Sequence, residues 1–589
     1  MYLMLKKIGL VLLAILVLGG VLLYPKLKEL RVETPEYQPP GNLVLLEQGW
    51  TAKQRQEFHH TPQGTRLVPY AWFMALEQPC FFGCEAFSKQ EYLGRFGFLP
   101  GDKDPELNPD GLPVGLTRST NFSDPFTGKT YPVVGLSCAA CHTGELHYKG
   151  NAIRIEGGVA LIQPTTFQKA LGISLVMTEL LPWRYSKFES KVLGGNASEQ
   201  DKAQLKSEFK AFVEKAKWEL AETQKRSIYP HDAGFGRTDA LTRIGNQVFG
   251  TDMNNADNFA PANSPVRFPQ VWDASWFTWV QYNSSISDPL VRNIGEALGV
   301  RAVAKLYGSD AKQFASSIDM QGLKKLEDLL SGNAPYQGLS SPKWPKEFPA
   351  LDAAKVAQGD KLYHQHCIGC HLPPLEELKQ DLASDKPRHW VGSETGKRFL
   401  NLTDVPLTMV GTDPNQAEDF MKRTADSGDL GKGRISAGVG LEVVTKGIRD
   451  QYFAKMAFTP AQKMEWTGYR QDGVPAVRSL AIYKAHPLNG VWSVAPYLHN
   501  GSVPSLFELI ASKEQRGKPD FWTGNKEFDP VKVGYEQKMM PGTTHFDYTL
   551  PGNTNQGHYF QNGPRGNGVV GPALTDEERW AIVEYLKSL

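Results

Sequence analysis

Two short stretches of the sequence, Cys138-Ala-Ala-Cys141-His142 and Cys367-Ile-Gly-Cys370-His371, repeat one pattern of cysteine and histidine. In a C-x-x-C-H pattern, two thiols three positions apart can bond to the two vinyl groups of one porphyrin, and the adjacent histidine can bind its iron. Because the 589 residues include only 6 cysteines, two copies are not expected by chance. The motifs therefore predict two covalently bound haem c groups, with thioether links at Cys138, Cys141, Cys367 and Cys370 and iron ligands at His142 and His371.

Other uses of paired cysteines fit this spacing less well. A zinc ribbon places its two C-x-x-C pairs about 15–20 residues apart, whereas Cys141 and Cys367 are far apart in the chain. A thioredoxin-like site needs one pair and no following histidine, and a disulfide between cysteines three positions apart is strained. Covalent haem is therefore the interpretation of both motifs.

The two remaining cysteines, Cys80 and Cys84, lie in Pro79-Cys-Phe-Phe-Gly-Cys84 without a following histidine. They do not form a third haem motif. Haem is attached to such thiols on the exported side of the bacterial membrane, where conditions are oxidising, so a local disulfide is expected. Free buried thiols or a metal site are the alternatives.

The amino terminus predicts export. Lys6 and Lys7 precede an unbroken apolar run, Ile8–Tyr24, which exceeds the usual apolar core of a signal peptide, about 7–15 residues. No Ala, Ser or Cys follows Ala14 until Ala52, so the small residues that signal peptidase requires are missing. We therefore expect residues 1–28 to be a signal anchor in the inner membrane, with a cleaved signal peptide as the alternative. Both place the remainder of the chain in the periplasm.

Charge balance excludes a general binder of polyanions. The chain carries 64 Lys and Arg against 63 Asp and Glu, a formal net charge of +1, so no overall attraction to nucleic acid is expected. A hydrophobic content of 41% with 22% charged residues also excludes wholesale disorder.

The apolar pattern predicts mainly α structure, and the two haem motifs with their flanking helices resemble cytochromes c. We therefore expect two cytochrome c-like haem domains with long loop insertions, preceded by the membrane-anchor helix. Residues 29–345 form the predicted N-terminal haem domain and residues 346–589 the C-terminal cytochrome c domain, divided near a segment rich in proline, serine and lysine. A capping box at Ser198 begins the clearest helix. The helices expected in the first domain are 198–226, 292–306 and 311–330.

The second predicted domain begins and ends with helices typical of cytochromes c. Residues 353–366 read as a helix that leads directly into Cys367, and residues 575–586 as an amphipathic helix with Thr575 as its N-cap. In cytochromes c the corresponding helices pack across each other, so we expect the same contact here.

Several segments carry a family resemblance. Ala495-Pro-Tyr-Leu-His499-Asn-Gly-Ser-Val-Pro-Ser-Leu506 resembles a signature of bacterial dihaem cytochrome c peroxidases. Further segments are more similar to the branch of that superfamily that includes the dihaem rubber oxygenase and the dihaem fatty-acid dioxygenases and diol synthases. These segments are Asn108–Gly115, Gly236–Leu241, Trp279–Asn283 and Val291–Gly299. The resemblance covers nearly the whole of the part expected to be exported.

The resemblance implies different coordination at the two haems. The first haem would have one protein ligand, His142, and an open face for dioxygen. The second would have His371 and a distal histidine near the carboxyl terminus. Gly552-Asn-Thr-Asn-Gln-Gly-His558 looks like that distal motif, which assigns His558, with His545 and His499 as rivals.

The same branch is known for a tryptophan between its haems that relays electrons. Trp272, Trp276 and Trp279 cluster in this chain, and Trp272 is the first candidate. Aromatic core packing is the alternative for each of them.

The resemblance predicts an exported haem-dependent oxidoreductase that inserts dioxygen into an unsaturated lipid or hydrocarbon at the first haem, with an apolar small-molecule substrate. One alternative is a dihaem peroxidase that reduces hydrogen peroxide, with a small cytochrome or cupredoxin as electron donor. A membrane-tethered electron-transfer cytochrome is the other. A haem with an open face can bind oxidants, whereas a haem with two protein ligands stores and passes electrons.

Overall fold

The computed structural model describes residues 32–308, 312–393, 395–469 and 475–589. Helices account for 39% of residues and strands for 15%, so the expected mainly α fold is wrong and the architecture is mixed. Most of the strands are too short to give an alternating pattern in the sequence. The expected anchor helix over 1–28 lies outside the described residues, and among those no helix is both long and apolar enough to cross a bilayer.

Helices occur in both halves of the chain. Those of eight residues or more in the described ranges are Ala52–His60, Pro164–Leu180, Pro182–Leu193, Glu199–Lys225, Pro289–Gly299, Met320–Ser331, Ala353–His366, Leu375–Ala383, Asn415–Lys422, Ala437–Lys455 and Asp576–Ser588. Shorter helices include Tyr70–Ala75, Gln90–Gly94, Ala240–Gly245, Ile368–His371, Leu407–Val410, Pro460–Trp466, Leu506–Leu509 and Lys513–Arg516.

Two three-stranded sheets flank the first haem motif. One has the strand order Asn42–Leu45, Asn151–Glu156, Thr143–Tyr148, and the other Val68–Pro69, Thr130–Leu136, Leu116–Ser123. The chain leaves Leu136, forms a single turn over Cys138–Ala140, and enters the next strand at Thr143. The motif is therefore held between two sheets rather than at a helix end.

Seven strand pairs complete the β-structure of the described ranges. They are Trp390–Gly392 with Arg398–Leu400, Thr403–Pro406 with Ile482–Ala485, Thr424–Asp426 with Arg434–Ser436, Trp522–Thr523 with Thr544–His545, Phe528–Asp529 with Gly534–Tyr535, Tyr559–Phe560 with Val569–Gly571, and Arg237–Thr238 with Val266–Arg267.

The expected helix contact around the second motif is present. Ala353–His366 begins and ends where the sequence predicted, and Asp576–Ser588 is capped by Thr575. The helices cross closely at Gly359, where a Cβ would lie 2.0 Å from the carbonyl oxygen of Ala581. A larger residue there would separate the helices.

Other expected elements are confirmed in part. Glu199–Lys225 follows the predicted capping box at Ser198. The next two predicted helices are shorter than expected. Pro289–Gly299, capped by Asp288, begins before the predicted residue 292 but ends well before residue 306, and Met320–Ser331 begins only after its cap, Asp319. The disulfide between Cys80 and Cys84 is present.

The largest buried apolar cluster contains residues from both predicted haem domains. Trp72 and Phe167 from the first half and Trp492 and Tyr585 from the second belong to it. The boundary near residue 345 stays a prediction, but the two halves share this core.

Candidate functional site

The first motif presents its histidine in a fixed orientation. The backbone N–H of His142 donates to the carbonyl of Cys138, which closes the turn. The ring Nδ1 of His142 donates to the carbonyl of Pro269 at 2.8 Å. Because Nδ1 carries the proton, Nε2 of His142 is left as a lone-pair donor. Burial lowers the pKa of His142 to about 4, so the ring is neutral, as an iron ligand requires.

The second motif repeats this arrangement. Nδ1 of His371 donates to the carbonyl of His486 at 2.7 Å, and burial lowers the pKa of His371 below its ordinary value. The four thiols at Cys138, Cys141, Cys367 and Cys370 form no disulfide. Both motifs therefore offer the donor set of a c-type haem: two free thiols and one neutral, oriented imidazole.

A cavity of about 380 Å³ lies against the second motif. Cys367, Cys370 and His371 line it, and His558 faces His371 across it with 6.1 Å between the ring centroids. Imidazole nitrogens bind first-row metals at about 2.0–2.1 Å, so two rings that bind one iron from opposite sides have centroids about 6 Å apart. The residues at this site fit a haem with two histidine ligands.

The loop that carries His558 is firmly held. Arg516 donates to the carbonyls of Gly557 and His558 at 2.6 and 2.8 Å, and also to the carbonyl of Leu509 in a preceding helix. A Cβ at Gly557 would lie 2.3 Å from the carbonyl oxygen of Val410, and the φ of +76° there also favours glycine. These contacts fix the position of His558 opposite His371.

The two rival histidines make no ring contact with His371. His499 lines the same cavity but stacks on Tyr483 at 4.1 Å between centroids. His545 is exposed and pairs with Asp520 at 2.7 Å. Of the three candidates, only His558 has a ring contact with His371.

A small pocket of about 50 Å³ lies beside the first motif, with Cys138 and His142 in its wall. Its volume suits a small molecule and accounts for only a small part of the space that a porphyrin needs. Many of its other lining residues are polar or charged: Gln270, Ser275, Gln281, Arg292, Asn293, Glu296, Lys484 and His486. Within the described ranges, His142 has no imidazole ring contact like that between His371 and His558, although His486 lines the same pocket.

An acid and an amide meet in this pocket. Nε2 of Gln281 donates to Oε1 of Glu296 at 3.0 Å. Burial raises the pKa of Glu296, and the nearby Arg292 opposes that shift. Sequence reasoning assigned no role to either residue, although both lie in segments quoted for the resemblance; their pairing needs the turn before Pro289–Gly299, which spacing alone does not reveal.

The two sites share a wall. Gln270, Lys484 and His486 line both the small pocket and the larger cavity. The carbonyl of His486 also binds the proximal ring of the second motif, so one short segment connects the surroundings of both sites.

Trp272 is buried next to this wall. Its Nε1 donates to the carbonyl of Asn489 at 3.1 Å, and the Asn489 amide donates to Asp273 at 2.8 Å. Val271, next to Trp272 in the chain, lines the small pocket, and Leu488, next to its acceptor Asn489, lines the larger cavity.

The neighbouring tryptophans make different contacts. Trp276 donates to the carbonyl of Ser331 and stacks on Phe399. Trp279 packs under Arg478, whose guanidinium lies 4.0 Å from the ring centroid. Neither contacts a residue of the shared wall in these interactions.

Comparison with known proteins agrees with this site. Residues 482–523, which include Lys484, His486 and His499, match the family described as RoxA-like, cytochrome c-like. This match places the region among cytochromes related to the rubber oxygenase and implies haem c binding. It does not specify the wider dihaem peroxidase superfamily.

A relative that matches nearly the whole chain defines the family. The uncharacterized protein y4iJ of Sinorhizobium fredii (strain NBRC 101917 / NGR234) is 39% identical over 602 residues, covering 98% of each chain. The chain belongs to the same family as y4iJ. The uncharacterized protein y4iM of the same strain is 25% identical over 338 residues, covering 54% of this chain and 63% of y4iM.

Proposed function

We propose that this protein is a periplasmic dihaem c-type oxidoreductase that activates a small oxidant beside His142 and stores electrons at the second motif. One observation carries the proposal: the ring of His371 contacts that of His558 with 6.1 Å between centroids, whereas in the described ranges His142 has no such imidazole contact and shares its small pocket with an acid–amide pair and His486. This asymmetry supports two sites with different tasks.

The residues around the two motifs suit the two haem sites to different tasks. Haem supplies one-electron chemistry and, where iron has an open position, activation of dioxygen or peroxide. At the second site His371 and His558 would both hold the haem, which would then supply electron storage. At the first, His142 would hold one position, while Gln281 orients the Glu296 carboxyl and Glu296 holds or accepts a proton in the pocket.

The first candidate reaction is dioxygen insertion into an unsaturated lipid or hydrocarbon. The RoxA-like match over residues 482–523 supports it. The test is aerobic incubation of the purified holoprotein with an unsaturated fatty acid or polyisoprene under ¹⁸O-labelled dioxygen, followed by mass spectrometry. We expect label in a hydroperoxide or cleaved carbonyl product. Unlabelled products, or unchanged substrate, would exclude this reaction.

The second candidate is reduction of hydrogen peroxide, and the Gln281–Glu296 pair favours it. A carboxyl group next to a peroxide molecule can take a proton from one peroxide oxygen and give it to the other. This transfer assists cleavage of the O–O bond. The charged lining of the 50 Å³ pocket also suits a small polar oxidant. The test is steady-state oxidation of a reduced small cytochrome or cupredoxin by peroxide. Turnover supports this candidate, and its absence with both donors argues against it.

A further inference from the structure

The acid–amide pair of the small pocket depends on a strained turn of the backbone. Gln281, whose side chain donates to Glu296, has a φ of +66°. This left-handed conformation is uncommon for residues other than glycine, and it persists only where the surrounding structure holds it. Val280 and Ile286 pair their backbones on either side of the turn, which closes residues 281–285 into a short loop, the Gln281 loop. Contacts with this loop therefore decide where the Gln281 amide lies.

Lys484 holds the Gln281 loop at two neighbouring peptide groups. Its Nζ donates to the carbonyl of Gln281 at 2.6 Å, and its backbone N–H donates to the carbonyl of Tyr282 at 2.9 Å. Within the loop, the N–H of Ser284 donates to the same carbonyl of Gln281 at a longer 3.2 Å. Arg478 holds the other end of the loop through the carbonyl of Ser284, at 2.7 Å. The end that carries the Gln281 amide is therefore held from outside by Lys484.

The position of Lys484 is itself fixed but unfavourable for a charge. Its strand, Ile482–Ala485, pairs with Thr403–Pro406, and Lys484 is 8% exposed. Burial, with a smaller effect from Arg292, lowers the pKa of Lys484 to about 7. Since the surroundings disfavour the ammonium, an unbranched apolar side chain of similar length would suit the stability of the fold at least as well. The hydrogen bond to the Gln281 carbonyl is what such a side chain would not supply.

We propose that Lys484 is a positioning residue of the first site, which holds the Gln281 loop so that the Gln281 amide meets Glu296 in the small pocket. Lys484 lines that pocket together with both members of the pair. It acts on the pair through the backbone of Gln281, not by direct contact with the oxidant. This inference rests on the proposed function, because it requires that a small ligand binds beside His142.

The test uses the reduced holoprotein with carbon monoxide, because the infrared stretching frequency of bound carbon monoxide reports on the polar groups beside it. K484M removes the donor and keeps the length of the side chain, whereas K484R keeps a donor. Q281A removes the amide and shows the effect of losing the pair. K397M is the matched control: Nζ of Lys397 also donates to a backbone carbonyl, that of Asn333, and Lys397 lines neither cavity.

We expect K484M to raise the carbon monoxide stretching frequency in the same direction as Q281A, because hydrogen-bond donors beside the carbon monoxide oxygen lower this frequency. K484R and K397M should stay close to the wild-type frequency. The double variant K484M/Q281A should match Q281A alone, because the lysine acts through Gln281. A wild-type frequency in K484M, or a double variant that shows the sum of the two single shifts, would overturn the proposal. Equal shifts in K484M and K484R would attribute the effect to packing and overturn it as well.

Chemical denaturation separates positioning from a purely structural role. Because the fold disfavours the buried ammonium, K484M should unfold at a denaturant concentration equal to or above that of the wild type. Its kcat/KM for the oxidant should nevertheless fall by about 100-fold, the effect of misplacing a catalytic group by about 1 Å. Lower stability with a wild-type stretching frequency would show that Lys484 is structural only and overturn the proposal.

The same measurements separate this inference from the proposed function. If the wild-type protein binds no carbon monoxide, the proposed function fails, and the inference fails with it. If the wild type binds carbon monoxide and K484M keeps its stretching frequency, only the inference about Lys484 fails.

Discussion

The rings of His371 and His558 face each other with 6.1 Å between their centroids, and each approaches from a differently built segment. His371 ends a haem motif that follows the helix Ala353–His366, whereas His558 lies in an irregular loop held by Arg516. This relationship supports a second haem that would be held by both His371 and His558.

Replacement of His558 by alanine should open the second haem. We expect H558A to lose the low-spin signature and to bind carbon monoxide at both haems after reduction. H545A is the control, because His545 is exposed and pairs with Asp520. Optical and electron paramagnetic resonance spectra of both variants provide the measurement. A low-spin spectrum that survives in H558A would contradict the assignment.

Arg516 should act as a positioning residue for His558. It donates to five carbonyl groups, those of Glu508, Leu509, Asn555, Gly557 and His558. Hydrogen bonds from a charged donor contribute about 1.5–3 kcal/mol each, so R516Q should lower the unfolding free energy by roughly 2–5 kcal/mol.

The same R516Q variant should also gain a high-spin fraction, because the loop no longer holds its ligand in place. K513Q, on the same turn, is the control. Chemical denaturation and the optical spectrum provide the two readouts. Loss of stability with a wholly low-spin spectrum would show that Arg516 is structural only.

The sequence located the second site better than the first. The C-x-x-C-H pattern is local, and the helices around it follow from periodicity and capping, so Ala353–His366 was predicted to the residue. The partner at position 558 depended on resemblance, because the loop that carries it has no periodic pattern. The role of Arg516 was not predicted for a related reason. Arg516 binds backbone carbonyls, and the positions of these carbonyls cannot be predicted from residue types.

Trp272 should carry electron transfer between the two haems. W272F removes the indole and its hydrogen bond to the carbonyl of Asn489, and it should slow the re-equilibration of electrons between the haems after rapid partial reduction. W276F is the matched control, because its indole donates instead to the carbonyl of Ser331. Equal rates in both variants would remove Trp272 from the relay.

Glu296 should matter most when peroxide is the oxidant. E296Q keeps the size of the side chain but cannot exchange a proton at the same pH. General acid–base catalysis contributes about 10²–10⁴-fold, so we expect peroxide turnover to fall by that factor. Glu327, which pairs with Arg292 outside the small pocket, offers E327Q as the control. Unchanged peroxide turnover in E296Q would exclude a proton-transfer role.

His60 should make folding sensitive to acid. Its Nδ1 donates to the carbonyl of Leu116, and Asn108 donates to its Nε2. Burial lowers its pKa from 6.5 to about 4, so between these values the unfolded chain binds a proton that the folded chain does not. The unfolding free energy should therefore fall as the pH drops through this window, by up to about 1.4 kcal/mol per pH unit.

The H60Q variant isolates this effect. Denaturation of wild type and H60Q between pH 7 and pH 4 should show a smaller slope in the variant, although the variant is less stable at pH 7. Parallel slopes would contradict the assignment of this acid sensitivity to His60.

The first site shows what sequence reasoning could not supply. The Cys138–His142 motif could be identified from the sequence because it is local. The pairing of Gln281 with Glu296 could not, because it depends on a turn that brings Gln281 against the helix Pro289–Gly299. The mixed fold has the same cause. Many strands span only two to four residues, too few for an alternating pattern to stand out, and their pairing is set by long-range contacts.

The proposed function requires one haem that binds an external ligand and one haem that does not. The most direct test is titration of the dithionite-reduced wild-type protein with carbon monoxide, with the haem content determined separately by the pyridine haemochrome assay. We expect two haems per chain and one carbon monoxide bound per chain. Binding of none, or of two, would contradict the proposed division of work between the sites at His142 and His371.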